Sequence, residues 1–197
     1  HVQTATVKKE WLEIKAQGAT GSADGAWEKH LHLISDLRIM ISHVGDMSNL
    51  ILDPDLDSYY VMDATLVALP QTQDRLAAVL GLGEAILKRQ SLSKEERGQL
   101  SVAAAMLQEA DADRIKASLQ TALNEDPNFY GRSESLQSKL PPALSNYVSA
   151  AETFVRLIRQ IAADDVIAVD GAAYVAAGER ARQGVHAGGA REQALTG

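Results

Sequence analysis

From Tyr59 onward, Met62, Leu66, Leu69, Gln73, Leu76, Leu80, Gly83 and Leu87 follow one another three or four residues apart without a miss. That alternation places one side chain per turn on a single helix face, and no β-strand can present it. The seam predicts a helix from Pro54 to Gln90, roughly 55 Å long at the usual rise per residue. Such a helix is too long for a small globule and implies an elongated bundle. Pro70 and the Gly81/Gly83 pair interrupt the seam.

The rest of the chain repeats the pattern. Val2 to Gln17 predicts a first helix, closed by Gly18 and a polar stretch through Gly25. Ala26 to Leu52 predicts a second, with Leu33, Leu37, Met40, Val44, Met47 and Ile51 on one face. Ile34 and Ile41 widen that stripe, so this helix is expected to be buried on more than one side. Asp53 is expected as the N-cap of the Pro54–Gln90 helix, with Pro54 at the first helical position and Asp55 and Asp57 at its positive end. Ser93-Lys94-Glu95-Glu96 is a capping box opening a helix to about Glu125, with Leu100, Leu107, Ile115 and Leu119 as its core. Leu140, Leu144, Tyr147, Ala151, Phe154, Ile158 and Ile161 form another seam, and an Ala/Gly-rich helix around Tyr174, Ala181 and Val185 runs from about Val166 to Gly189. The fold class is all-α: an elongated antiparallel bundle of four-helix type with about six helical segments. It forms either one long bundle or two stacked ones, with breaks placed at Pro70, Gly81/Gly83 or Pro141/Pro142.

Composition narrows the function. Lys and Arg total 19 against 26 Asp and Glu, a net charge of −7, which argues against nucleic-acid binding, since that needs a basic face. With no cysteine there is no disulfide, thiolate metal site or cysteine nucleophile. The chain opens at His1 without an apolar leader, and no run approaches the roughly 18 apolar residues of a membrane span. It therefore reads as a fragment of something longer, and Ala187 to Gly197 looks like a segment that continued further.

No catalytic pattern stands out. A carboxylate-bridged metal site in a bundle needs Glu-x-x-His pairs, and none of the 12 glutamates has a histidine three residues later. His30, His32, His43 and His186 have no ligand spacing along the chain, so no metal and no cofactor are expected. Asp53-x-Asp55-x-Asp57 imitates the opening of a calcium loop. Ser58 and Ala64, however, stand where that loop needs Gly and Glu. There is no phosphate loop and no nucleophile elbow, so enzymatic activity is not expected.

The stretch Ser48-Asn49-Leu50-Ile51-Leu52-Asp53-Pro54-Asp55-Leu56-Asp57-Ser58-Tyr59-Tyr60-Val61-Met62-Asp63, followed by Leu69-Pro70, resembles a motif of bacterial transmembrane receptors. It is similar to the all-helical extracytoplasmic sensor domains of sensor histidine kinases and methyl-accepting chemotaxis proteins. About twenty residues carry the likeness, with a weaker echo in Lys9-Glu10. The resemblance implies that residues 1–197 are a single periplasmic sensor domain between two membrane spans. It also implies a homodimer in the parent receptor and signal transmission along helices, most concretely to a histidine kinase.

Spacing suggests where a small-molecule ligand would bind. Asp46, Asn49 and Asp53 share one face before the turn, and Tyr60 and Asp63 follow it beside Tyr59. With Arg38, whose guanidinium suits a carboxylate, the candidate ligand-binding residues are Arg38, Asp46, Asn49, Asp53, Tyr59, Tyr60 and Asp63. Arg114 raises the same question with less force. The same polar residues would equally serve to lock a helix corner, since buried polar groups need complete hydrogen bonding. A helical protein-interaction bundle without a small ligand is the rival reading.

Overall fold

The computed structural model describes residues 3–17, 23–164 and 166–189. Among them all regular structure is helical and no strand occurs, as the seams require. Gly18 and Gly21, and the tail from Ala190, lie outside the described residues. The chain divides into two compact units, His1–Leu52 and Asp53–Gly197.

The first unit holds α1 (Thr4–Gln17) and α2 (Ala23–Met47), followed by a single 3-10 turn, Leu50–Leu52. α2 stops short of the expected Leu52. Asn49 takes a left-handed conformation (φ +59°), which asparagine tolerates better than most residues and which no helix can continue through. The Ser48 hydroxyl donates to the Gly45 carbonyl at 2.9 Å and helps satisfy the frayed end. The expectation that α2 is buried on more than one side is corrected. Leu33 is buried, but Leu37, Val44, Met47 and Ile51 of the same stripe are exposed. With 14 residues against 25 in α2, α1 is too short to cover its longer neighbour.

In the second unit, α3 (Leu56–Met62) runs through a π-helical segment (Asp63–Ala68) into α4 (Leu69–Arg89), making one continuous rod. The second rod is α5 (Lys94–Ala105), a π-helical segment (Met106–Asp113) and α6 (Arg114–Glu125). α7 (Glu134–Ala163) and α8 (Gly171–Gly189) complete the set. Side-chain bonds give the direction of each rod. Arg89 meets Glu96 and Arg75 meets Asp111; Gln137 reaches the Leu123 carbonyl and Arg97 the Ala162 carbonyl; Gln73 donates to the Arg182 carbonyl and Tyr174 to that of Val79. Each neighbour runs against the last, so the unit is an up-down-up-down four-rod bundle.

The predicted seams supply most of its core, although Tyr59 is exposed and Leu66, Gln73 and Leu140 are half-buried. Met62, Leu69, Leu76, Leu80, Gly83 and Leu87 are buried on the first rod, as are Leu100, Leu107, Ile115 and Leu119 on the second. Leu144, Tyr147, Ala151, Phe154, Ile158 and Ile161 are buried on α7. None of the three Pro/Gly positions breaks a rod. Pro70 cannot bond the Leu66 carbonyl and would clash with it in a regular helix. Leu66 instead lies in the π segment, where the Leu69 N–H reaches back five residues to Ala64 and the turn is wide enough for the ring. Pro141 and Pro142 lie on the exposed side of α7, where a carbonyl left without its helical donor is open to solvent.

Helix starts follow the carboxylates and hydroxyls available. Ser93 and Glu96 form the expected reciprocal capping box. The expected cap at Asp53 is displaced by two residues: Asp55 is the N-cap in extended conformation, and Leu56 opens α3. The Asp53 carboxylate accepts from the Asp55 N–H at 3.1 Å, closing a turn around Pro54 in place of capping a helix. α8 likewise starts at Gly171 and not Val166, because Asp170 accepts from the Ala173 N–H at 2.8 Å and fixes the start there.

Candidate functional site

The core of the second unit is mainly apolar, and a polar layer crosses it. α4 contributes Thr72 and Arg75, the π segment of the second rod contributes Asp111, and α7 contributes Tyr147. Asp111 and Thr72 are buried, and the Arg75 guanidinium donates to the Asp111 carboxylate. The Thr72 hydroxyl donates to the Ala68 carbonyl at 2.9 Å, the last residue of the first rod's π segment. Tyr147 is buried beside the Thr72 hydroxyl and the Asp111 charge, with its own hydroxyl at hydrogen-bonding geometry to neither.

Burial pushes the Asp111 carboxyl above the ordinary carboxylate range, and the Arg75 guanidinium pulls it only partly back. Burial, followed by the Asp111 charge, pushes the Tyr147 phenol upward against a smaller pull from the Thr72 hydroxyl, so it stays neutral. The layer therefore joins an ion pair, in which desolvation outweighs attraction, to an unpaired hydroxyl. Such groups lie close to balance, because a buried pair repays its desolvation only with complete bonding. π-helical turns also recur at functional sites, and here the ion pair extends from a π segment to the helix following the other one. The arrangement can hold helix register or hydrogen-bond a polar group; it pairs no nucleophile with a base.

The seven residues singled out from sequence are distributed over both units. Arg38, Asp46 and Asn49 belong to the first, where Asn49 terminates α2 and its N–H bonds the Asp46 carbonyl at 3.2 Å. Asp53, Tyr59, Tyr60 and Asp63 belong to the second. There Tyr59 and Tyr60 pack edge to face, with ring centroids 5.4 Å apart. Asp63 accepts on both carboxylate oxygens from one nitrogen of Arg114, each at 2.8 Å, so the structure joins two of the named residues. Half-exposed Arg114 makes this an ordinary surface pair.

Thr72, Arg75 and Asp111 were not anticipated. The available signal was Asp111, which falls four residues after Leu107 and four before Ile115, on the apolar stripe itself. A shallow depression of about 370 Å³ between α4 and α8 is lined by Glu84, Leu87, Lys88, Gly171, Ala172 and Val175, and contains neither set of residues. Among the described residues no helix is long and apolar enough to cross a membrane.

No family model matches the chain, and neither a curated protein nor a solved structure is significantly similar to it.

Proposed function

We propose that this chain is the extracytoplasmic sensor bundle of a bacterial transmembrane receptor, in the first instance a two-component sensor histidine kinase. In this reading the bundle is periplasmic and non-catalytic, and transmits its signal by a shift of packed helices. The observation that carries the reading is the Arg75–Asp111 pair, in which half-buried Arg75 of α4 meets buried Asp111 of the second rod's π-helical segment. In this reading the rods have a second packing, and a ligand biases the equilibrium between the two by its differential affinity. The receptor-like stretch from Ser48 to Asp63 supports the same reading, and a chemotaxis receptor would use the bundle in the same way.

A second reading has its own observation. Leu37, Val44 and Met47 of α2 form an apolar stripe that is left exposed, and exposed stripes of this kind mark protein contacts. This supports a helical interaction bundle, or the homodimer contact of the receptor.

The test begins with the parent gene, which should encode an apolar span before residue 1 and another after residue 197. In the full-length receptor, the double variant Arg75→Met/Asp111→Leu should remain folded and helical while changing basal kinase output. Absence of flanking spans, or output insensitive to this replacement, would overturn the receptor reading in favour of the interaction bundle.

A further inference from the structure

In the first unit, Glu10 of α1 and His32 and Asp36 of α2 bring their ligating atoms within 4.8 Å of one another. His32 and Asp36 stand four apart, and so share one face of α2. Glu10 comes from the other helix, which is why spacing along the chain gives no hint of it. One oxygen of Glu10, Oε2, is shielded from water and accepts no hydrogen bond. It lies 3.6 Å from the His32 ring nitrogen Nδ1.

That separation is informative. It is too long for a hydrogen bond. Two donors each about 2.0–2.2 Å from a tetrahedral ion stand roughly 3.3–3.6 Å apart, so the pair falls at the wide end of co-ligand spacing. The ligand set is one imidazole and two carboxylates, carrying two negative charges when the ring is neutral. Imidazole selects against magnesium and calcium, and the absence of thiolate selects against soft ions, leaving a divalent first-row metal such as zinc. Exposed His32 leaves an open route for entry and room for water to complete the coordination.

We propose that Glu10, His32 and Asp36 form a divalent transition-metal site that clamps α1 to α2. The site stands independently of the receptor reading. Its consequence for the unit is structural, because Leu33 is its only buried hydrophobic side chain among the described residues. A hairpin with so little core gains order from an ion held between its helices, and the binding energy appears as stability of the pair.

The experiment is calorimetric titration of Zn²⁺ into the chelator-treated full chain, with hydrogen exchange of α1 and α2 read in parallel. One equivalent should bind with higher affinity than any further equivalents, and exchange in both helices should slow. Loss of outer-shell support alone costs about 10–100-fold in affinity, so His32→Ala and Glu10→Gln should each weaken this equivalent by at least about tenfold and abolish the protection. His30→Ala is the control, since the His30 ring bonds the Ala26 carbonyl of its own helix at 2.7 Å; it should change neither readout. The proposal is overturned if no single tighter equivalent exists, if His32→Ala costs no more than His30→Ala, or if Zn²⁺ binds without protecting α1.

Discussion

The hydroxyl of Tyr174 on α8 donates to the Val79 carbonyl of α4 at 2.7 Å, passing over the bare backbone of Gly83. A Cβ at residue 83 would lie 2.1 Å from that hydroxyl oxygen and 2.3 Å from the ring carbon Cζ that bears it. Tyr174 is fully buried and packs on Phe154 with ring centroids 5.0 Å apart, so it has nowhere to retreat. Gly83→Ala should therefore destabilise the protein by about 1–3 kcal/mol through overpacking, despite the better helix propensity of alanine. Gly81→Ala, two residues away with nothing within 4 Å, should stabilise by up to about 1 kcal/mol. Urea denaturation of the two variants checks the contrast, and equal effects would refute it.

Two buried tyrosines should respond oppositely to loss of the hydroxyl. Tyr174→Phe removes a made hydrogen bond and should cost about 1 kcal/mol. Tyr147→Phe removes a hydroxyl that has no partner, so its effect should lie between none and a gain of about 1 kcal/mol. Thermal unfolding of both variants, compared with the parent chain, provides the measurement. A substantial loss from Tyr147→Phe would mean that its hydroxyl is bonded after all.

The long rods were legible because periodicity records which face of a helix is apolar, and in the second unit another rod covers that face. Leu76, Leu107 and Ile158 were placed in the core from spacing alone, and they are buried. Periodicity does not record what covers a face, so the stripe from Leu37 to Ile51 looked the same in sequence and is exposed. The capping carboxylate before α3 was misplaced because Asp53-Pro54-Asp55 offers two candidates, and a local turn decides between them. The Arg75–Asp111 layer and the Glu10–His32–Asp36 cluster escaped for a shared reason. Each is assembled from different helices, and no spacing rule within one helix brings such residues together.

The buried ion pair should show the asymmetry between breaking a pair and replacing it. Arg75→Ala leaves the buried Asp111 carboxylate uncompensated and should cost about 3–5 kcal/mol, whereas Asp111→Ala leaves a part-exposed guanidinium and should cost less. Arg75→Met/Asp111→Leu removes both desolvation penalties and should cost far less than Arg75→Ala, or even stabilise. Because desolvation already outweighs the attraction at Asp111, the near-neutral outcome is expected. Equilibrium denaturation of the three variants and the parent chain closes the cycle; additive losses would sink the argument.

Acidification should separate two carboxylates whose environments act in opposite directions. Burial raises the Asp111 carboxyl above its ordinary value of 3.8, against the pull of Arg75. A carboxyl that holds its proton more tightly when folded contributes stability that is fully present below 3.8 and lost as pH rises through the native value. Glu96 is the reverse. The Ser93 main-chain N–H, and then the Arg89 guanidinium, hold it below its ordinary 4.5. Its contribution is present above 4.5 and lost as pH falls through the lower native value. Measured by urea denaturation at steps from neutral pH down to the ordinary carboxylate range, the parent chain should gain stability relative to Asp111→Asn as pH falls. Over the same steps it should lose stability relative to Glu96→Gln, the loss concentrated at the acid end. Slopes of the same sign for both variants would contradict the environments assigned to these two side chains.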